Sequence, residues 1–180
     1  MTPATASIED LLGLAIRLVN AGQPERARVL CEQARAAHAP HPAVLQLLAV
    51  IDLQRGDAAA AVDSATASLV LRPDHAPTLR AAADAWFALS LQRHAAHDLA
   101  GETQALRESL RLAPERVEAE VNLGIALQDA GEMAEAMRAY GRAFRRREDS
   151  FGRIAHALAT PNHGRLWLDL DALRAALRAA

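Results

Sequence analysis

Three glycines recur along this chain at intervals that indicate a repeating structure. Gly56 follows Gly22 at an interval of about 34 residues, which lies within the range of known repeat periods. Gly131 follows Gly56 by two more such intervals and seven further positions, and an alanine stands five positions after each glycine, at Ala27, Ala61 and Ala136. A period of this length fits one supersecondary unit, and such units bury their apolar faces by stacking on their neighbours. The chain is therefore predicted to be an array of repeated units.

Apolar and small positions repeat in step with the glycines. Leu11, Leu45 and Leu79 are spaced at the same interval, and two units close on the segments "LVLRPDH" and "LRLAPER". The clearest copy is "NLGIALQDAGEMAEAMRAYGRAF", residues 122–144, which is rich in glycine and alanine. Small side chains favour helices and allow their backbones to approach closely. This pattern predicts pairs of tightly packed helices, so the fold class is all-α.

These features resemble the tetratricopeptide repeat (TPR), a helix–turn–helix unit of about 34 residues. Leu123-Gly124 and Leu127 match the pattern of its first helix, and Ala136 and Tyr140 match the pattern of its second. The resemblance implies a helical solenoid, a right-handed superhelix of stacked helix pairs with capping helices at its carboxyl end.

The repeat pattern divides the first 150 residues into four units. They are residues 8–41, 42–75, 76–116 and 117–150. The third unit has seven extra residues around positions 90–102, which form either a longer first helix or an extended loop. It also has Glu102 where the repeat has a small alanine.

Residues 151–180 are predicted to form capping or docking helices. Phe151, Ile154 and Leu158 have helical spacing, and Pro161 would end that helix. A last helix follows, with Asp169 or Asp171 as its N-cap and an apolar stripe of Leu170, Leu173 and Leu177. The alternative is an arm for dimerisation or partner docking, built around Trp167.

Composition excludes several kinds of chemistry. All 20 basic residues are arginine, so the chain has no lysine for a Schiff base or a phosphate-binding loop, and this bias suggests a GC-rich bacterial genome. The formal net charge of −2 gives no overall attraction to nucleic acid. The single cysteine, Cys31, excludes an internal disulfide and a cysteine-based zinc site, and it is predicted to be a buried, inert thiol.

The sequence carries no sign of secretion or of membrane insertion. Its start, "MTPATASIEDLLGLAIRL", has no basic region before the apolar part, and Glu9 and Asp10 interrupt that part. No apolar run reaches membrane-spanning length. We therefore expect a soluble, cytoplasmic protein.

The resemblance implies that the first helix of each unit lines a concave groove, where peptides usually bind. Helical periodicity places these residues there: Leu12, Ile16, Asn20, Gln46, Val50, Leu53, Arg80, Asp84, Phe87, Val121, Ile125 and Gln128, with Asp129 beside the last. Phe87, Val50, Leu53 and Ile125 would anchor a partner, and Arg80 and Asp84 would orient it. The set lacks the Lys/Asn/Arg combination with which some TPR proteins clamp a C-terminal carboxylate. An apolar partner segment is predicted instead, unless these apolar residues pack within the chain itself.

Other polar clusters carry weaker signals. His94, His97 and Asp98 lie close together, as do His38 and His41, but their spacing fixes no third ligand, so we predict no metal and no cofactor. The basic stripe of Arg138, Arg142, Arg145, Arg146 and Arg147 is interpreted as a solvated helix face rather than a nucleic-acid site. No Ser/His/Asp arrangement or pair of catalytic carboxylates stands out.

The leading hypothesis is a non-enzymatic module for protein–protein interaction, either an adaptor or an assembly chaperone, that holds a peptide or helix of another protein in its groove. The alternatives are a homo-oligomeric scaffold that associates through residues 151–180, and an accessory subunit of an enzyme complex.

Overall fold

The structure, a computed structural model, describes residues 7–159 and 169–180. Its regular elements in these two ranges are all helical. The α-helices are α1 (Ile8–Asn20), α2 (Pro24–Ala37), α3 (Pro42–Gln54), α4 (Ala58–Leu71), α5 (Ala76–Ala95), α6 (Leu99–Leu112), α7 (Val117–Asp129), α8 (Met133–Arg146), α9 (Phe151–Leu158) and α10 (Leu170–Ala179). A short 3-10 turn, Glu148–Ser150, precedes α9. None of the described helices combines the length and the apolar character that crossing a membrane requires.

The helices occur in pairs that fall within the four predicted ranges, 8–41, 42–75, 76–116 and 117–150. Partners in sequence pack on each other in α1–α2, α3–α4 and α7–α8. The first helix of the third pair, α5, has 20 residues, whereas α1, α3 and α7 have 13 each. The seven extra residues therefore lengthen a helix rather than form a loop.

The turn inside each helix pair requires a residue with positive φ. Gly22, Gly56 and Gly131 hold it with φ of 69°, 77° and 81°, and His97 holds it in the third pair with φ of 56°. In each turn the next residue donates its backbone N–H to the carbonyl five residues before it, for example Asp57 to Asp52 and Asp98 to Arg93. This bond satisfies a carbonyl that the end of the helix leaves free.

The described residues divide into two compact units, with the boundary between Leu89 and Ser90. In the first unit, a cluster of buried residues joins α1, α2 and α3, and its members are Ala15, Ala27, Cys31, Ala34, Val44, Leu48 and Ile51. A second cluster joins Ala61 and Val62 of α4 to Ala85 of α5. The alanines of the two clusters are 0–1% exposed, as expected of the small residues of the repeat.

The second unit is organised around Tyr140 of α8. Its ring is fully buried and lies against Gly124 of α7, where a Cβ atom would come within 2.3 Å of the ring. Helix α7 packs on α6 and α8 and also contacts α9. The Tyr140 hydroxyl donates to the side-chain oxygen of Gln128 at 3.1 Å. Gly124 is therefore the position at which the first helix admits the aromatic ring of the second.

The last helix, α10, covers α8. Leu173 and Leu177 of its apolar stripe are 1% and 0% exposed, whereas Leu170 is 51% exposed. Asp169 is the N-cap, as predicted, and accepts hydrogen bonds from the backbone N–H groups of Asp171 and Ala172. This arrangement has the form of a cap. Pro161 and Trp167 lie outside the described residues.

Candidate protein-binding surface

The first helices of successive pairs are direct neighbours within the first unit. Helix α1 packs on α3. Helix α3 is joined to α5 by a hydrogen bond from the Thr78 hydroxyl to the side-chain oxygen of Gln46 at 3.2 Å. We call the solvent-facing side of α1, α3 and residues 76–89 of α5 the first-helix surface of this unit. The corresponding surface of the second unit consists of α7 and α9, which are also neighbours.

On α1, the predicted binding residues differ in how accessible they are. Ile16 is 48% exposed and Asn20 is exposed. Leu12 is half-buried and packs against the core cluster of α1, α2 and α3. Ile16 and Asn20 are therefore available to a partner, whereas Leu12 serves mainly the chain's own packing.

On α3, the predicted residues are all half-buried. Leu53 packs against the cluster formed by Ala61, Val62 and Ala85. The side-chain oxygen of Gln46 already accepts from Thr78. Val50 takes no part in either contact and is the α3 residue best placed to meet a partner.

On α5, the predicted residues share one helix face, since they are spaced four and three residues apart. Arg80 and Asp84 are exposed, and Phe87 is half-buried. A guanidinium, a carboxylate and an aromatic ring therefore follow one another along the first-helix surface within one unit.

On α7, two of the four predicted residues are accessible, and one of them is the exposed Asp129. Ile125 is half-buried, but Val121 and Gln128 are 1% and 3% exposed. The sequence placed Val121 and Gln128 on the surface, and the structure buries them because α6, α8 and α9 all contact α7. Gln128 donates to the carbonyl of Ala157 in α9 at 2.8 Å, so its side chain joins two helices and is not available to a partner.

A pocket of about 250 Å³ lies between α7 and α9 beside Ile125. Its wall is mostly apolar and includes the buried Ala157, and the exposed residues Asp129, Arg153 and His156 complete its lining. The sequence pattern did not select Arg153 or His156. It did predict the helix that carries them, from Phe151 to Leu158, but binding residues were selected only on the first helices of the four units.

Comparison with known proteins gives a match of fold and none of sequence. No family model matches the chain, and no curated protein sequence does. The solved structure of YrrB, described as a TPR protein with an unusual peptide-binding site, aligns with 96% of this chain and 87% of its own, with a TM-score of 0.64 and 14% identity. This chain has the tetratricopeptide-repeat fold.

Solved structures of MamA have a similar fold. One aligns with 80% of this chain and 75% of its own, with a TM-score of 0.59 and 19% identity, and the structure named MamA MSR-1 C2 aligns with 83% and 82%, with a TM-score of 0.60 and 18% identity. The prediction of a TPR-type helical solenoid is therefore confirmed.

The predicted arginine stripe takes part in the packing of the chain itself. Arg142 donates through Nε and Nη2 to both oxygens of the buried Glu120 at 2.8 Å each. Arg147 pairs with Glu118 at 2.7 Å, and this contact holds the pKa of the Glu118 carboxyl below its usual value. Arg145 donates to backbone carbonyls of α10. The stripe therefore joins α8 to α7 and to α10.

Two titratable groups that the sequence singled out, Cys31 and Glu102, are buried in the structure. Cys31 is 2% exposed, and burial raises the pKa of its thiol to about 11, as expected of an inert thiol. Glu102 is buried with a carboxylate oxygen 3.1 Å from Nδ1 of His94. Burial raises the pKa of the Glu102 carboxyl, and His94 opposes that shift. Among the described residues, no group of three or more His, Cys, Asp or Glu side chains is arranged to hold a metal ion.

Proposed function

We propose that this protein is a non-enzymatic module for protein–protein interaction, an adaptor or assembly chaperone that binds a segment of another protein along its first-helix surface. The observation that supports this proposal is that α1, α3 and α5 lie next to one another in the first unit. Ile16, Val50 and Phe87 of these helices are at or near the surface. These three residues provide apolar anchors on three neighbouring helices.

The chemistry of that surface favours a partner segment that has both apolar and charged residues. Its anchors are apolar, and the exposed charges of Arg80 and Asp84 lie on the same face of α5 as Phe87. Apolar anchors suit an amphipathic helix or an extended apolar segment, and the charges fix its direction. YrrB, which shares the fold, is described as having a peptide-binding site, and this is consistent with a peptide segment as the partner.

Binding of this kind would use a preformed surface. Polar contacts within and between the helix pairs hold the helices in place. The Ser68 hydroxyl of α4 donates to the carbonyl of Pro42 in α3 at 2.9 Å, and Arg28 of α2 pairs with the buried Asp52 of α3 at 2.9 Å. A surface that is ordered before association loses less conformational entropy on binding. The mechanism is therefore rigid presentation, with no chemical step.

The alternative of a homo-oligomeric scaffold has few apolar residues left for self-association in the described part of residues 151–180. It relies on residues 151–180 for self-association, and Leu173 and Leu177 are already buried against the rest of the same chain. Leu170 alone of that stripe is exposed among the described residues.

Affinity capture from the source cells tests the proposal. Full-length wild-type protein and the Phe87→Ala variant serve as baits, and Val29→Ala, which changes an exposed apolar residue of the second helix α2, is the matched control. We expect a stoichiometric partner with the wild type and with Val29→Ala and its loss with Phe87→Ala. Thermal unfolding of each bait accompanies the capture. A collapse of stability in Phe87→Ala would show that this ring is core, and recovery of the chain alone from every bait would contradict the proposal.

A further inference from the structure

The pocket between α7 and α9 has a fixed apolar centre. Ile125 and Ala157 lie on its wall. Behind them, Gln128 donates to the carbonyl of Ala157 at 2.8 Å and accepts from the hydroxyl of Tyr140 at 3.1 Å. Both Gln128 and Tyr140 are buried. Because these hydrogen bonds hold α7, α8 and α9 together, the pocket keeps its shape without an occupant.

Two opposite charges stand on the rim of this pocket. Arg153 of α9 is exposed and donates to the side-chain oxygen of Asn122 at 3.1 Å. Asp129 is the last residue of α7 and is exposed. Neither forms an ion pair with any other residue in the described part of the chain. Most other arginines of this unit do have carboxylate partners, such as Arg107 with Glu135.

The spacing of the two charges sets a geometric requirement. The contact with Asn122 puts Arg153 level with that residue of α7, and Asp129 lies seven positions further along the helix, with Ile125 between them. At about 1.5 Å per residue, seven positions correspond to about 10 Å along the helix axis. An extended peptide covers about that distance in three residues.

We infer that this pocket binds one aliphatic side chain of a partner protein segment, in which an acidic and a basic residue stand about three positions apart on either side of it. The acidic residue pairs with Arg153 and the basic residue with Asp129. This inference rests on the proposed function, and it adds the chemical character of the partner segment that the α7–α9 surface of the second unit binds.

Selection from a random library of displayed dodecapeptides on the full-length protein provides the test. We expect enrichment of an aliphatic residue flanked by an acidic and a basic residue about three positions apart. The best peptide is then titrated by calorimetry against wild type, Arg153→Glu and Asp129→Arg. Loss of one exposed ion pair is expected to weaken binding about fivefold.

Charge exchange in the peptide separates a direct contact from a structural effect. Replacing the acidic residue of the peptide by lysine should restore binding to Arg153→Glu and weaken binding to the wild type. Arg111→Glu is the matched control, since Arg111 is an exposed arginine of α6 in the same unit and pairs with Glu108. That variant should bind the original peptide like the wild type.

Each contrary result has its own meaning. If the selected peptides bind Arg153→Glu and Asp129→Arg as tightly as the wild type but do not bind Phe87→Ala, the pocket inference is wrong and the proposed function stands. Failure to enrich any peptide would overturn both. Reversible dimerisation in sedimentation velocity that both reversals abolish would identify a second copy of this chain as the occupant, and would overturn the inference of a foreign partner.

Discussion

His97 takes a place that glycine holds in the other three helix pairs. Its φ of 56° is in the left-handed region, which is unfavourable for a residue with a side chain. Asp98 and Arg93 still form the backbone bond that closes the turn. The spacing of the chain agrees with this assignment, because His97 precedes Gly131 by the same interval that separates Gly22 from Gly56.

Replacing His97 by glycine is expected to stabilise the protein. The substitution removes the strain of the side chain, partly offset by the greater freedom of glycine in the unfolded chain, so we expect a gain of roughly 0.5–1 kcal/mol in the free energy of unfolding. Urea unfolding followed by circular dichroism measures it. The control is Ala96→Gly, whose φ is not positive and which should be destabilising. A loss of stability in His97→Gly would show that this turn carries no strain.

Gly124 is expected to tolerate no larger side chain. An added Cβ would stand 2.3 Å from the ring of Tyr140, which is fully buried and cannot move aside. Gly124→Ala should therefore lower the free energy of unfolding by about 1–3 kcal/mol, despite the better helix propensity of alanine. Gly152→Ala is the matched control, since a Cβ there meets no atom within 4 Å. Equal stability of the two variants in urea would contradict the packing described.

Glu102 is expected to make stability depend on pH. Because the pKa of its carboxyl is raised in the folded chain, the folded chain binds this proton more tightly than the unfolded chain. The contribution of the group to stability therefore falls as pH rises through the interval between the two pKa values. Glutamine keeps the shape of the side chain without titrating.

Urea unfolding of wild type and Glu102→Gln from about pH 4 to about pH 7.5 tests this. The two proteins should have similar stability at the acidic end, and the variant should become the more stable one as pH rises. Glu108→Gln, a surface change in the same helix, controls for the loss of one charge. A variant that is less stable than wild type at every pH would mean that the contact of Glu102 with His94 outweighs the cost of burial.

Among the helices, α10 depends on one close contact with α8. A Cβ on Gly141 would lie 2.7 Å from the carbonyl oxygen of Leu177 and 3.1 Å from Cβ of Ala180. Backbone atoms cannot rotate away as a side chain can, so Gly141→Ala is expected to displace α10. Hydrogen exchange read by mass spectrometry should show faster exchange in residues 170–179, with α7 unchanged. Unchanged protection of α10 would show that it adapts to the added methyl group.

The helix pairs could be predicted because their turns and close contacts leave marks in the sequence. Positive φ and near-contact of backbones select glycine and alanine, and these recur at the repeat interval. The third turn escaped detection because a histidine occupies it. The burial of Val121 and Gln128 was not predicted, because helical periodicity distinguishes only the apolar and polar faces of a single helix. Three other helices contact α7. Arg153 and His156 required recognising α9 as part of the same surface.

Within each of the two units, the proposed function depends on the side of the helix pairs that the first helices form. Repeated pairs place their first helices next to each other, so a binding surface arises from stacking rather than from any single motif. We therefore expect contact with a partner to depend on which side of the helix pairs a residue occupies.

Photo-crosslinking in the source cells tests that claim most directly. A photoreactive benzoylphenylalanine is introduced at Phe87, on the first helix α5, or at Val29, which is 56% exposed on the second helix α2. We expect a covalent adduct with another protein from position 87 and none from position 29. An adduct from position 29 alone, or adducts only between copies of this chain, would contradict it.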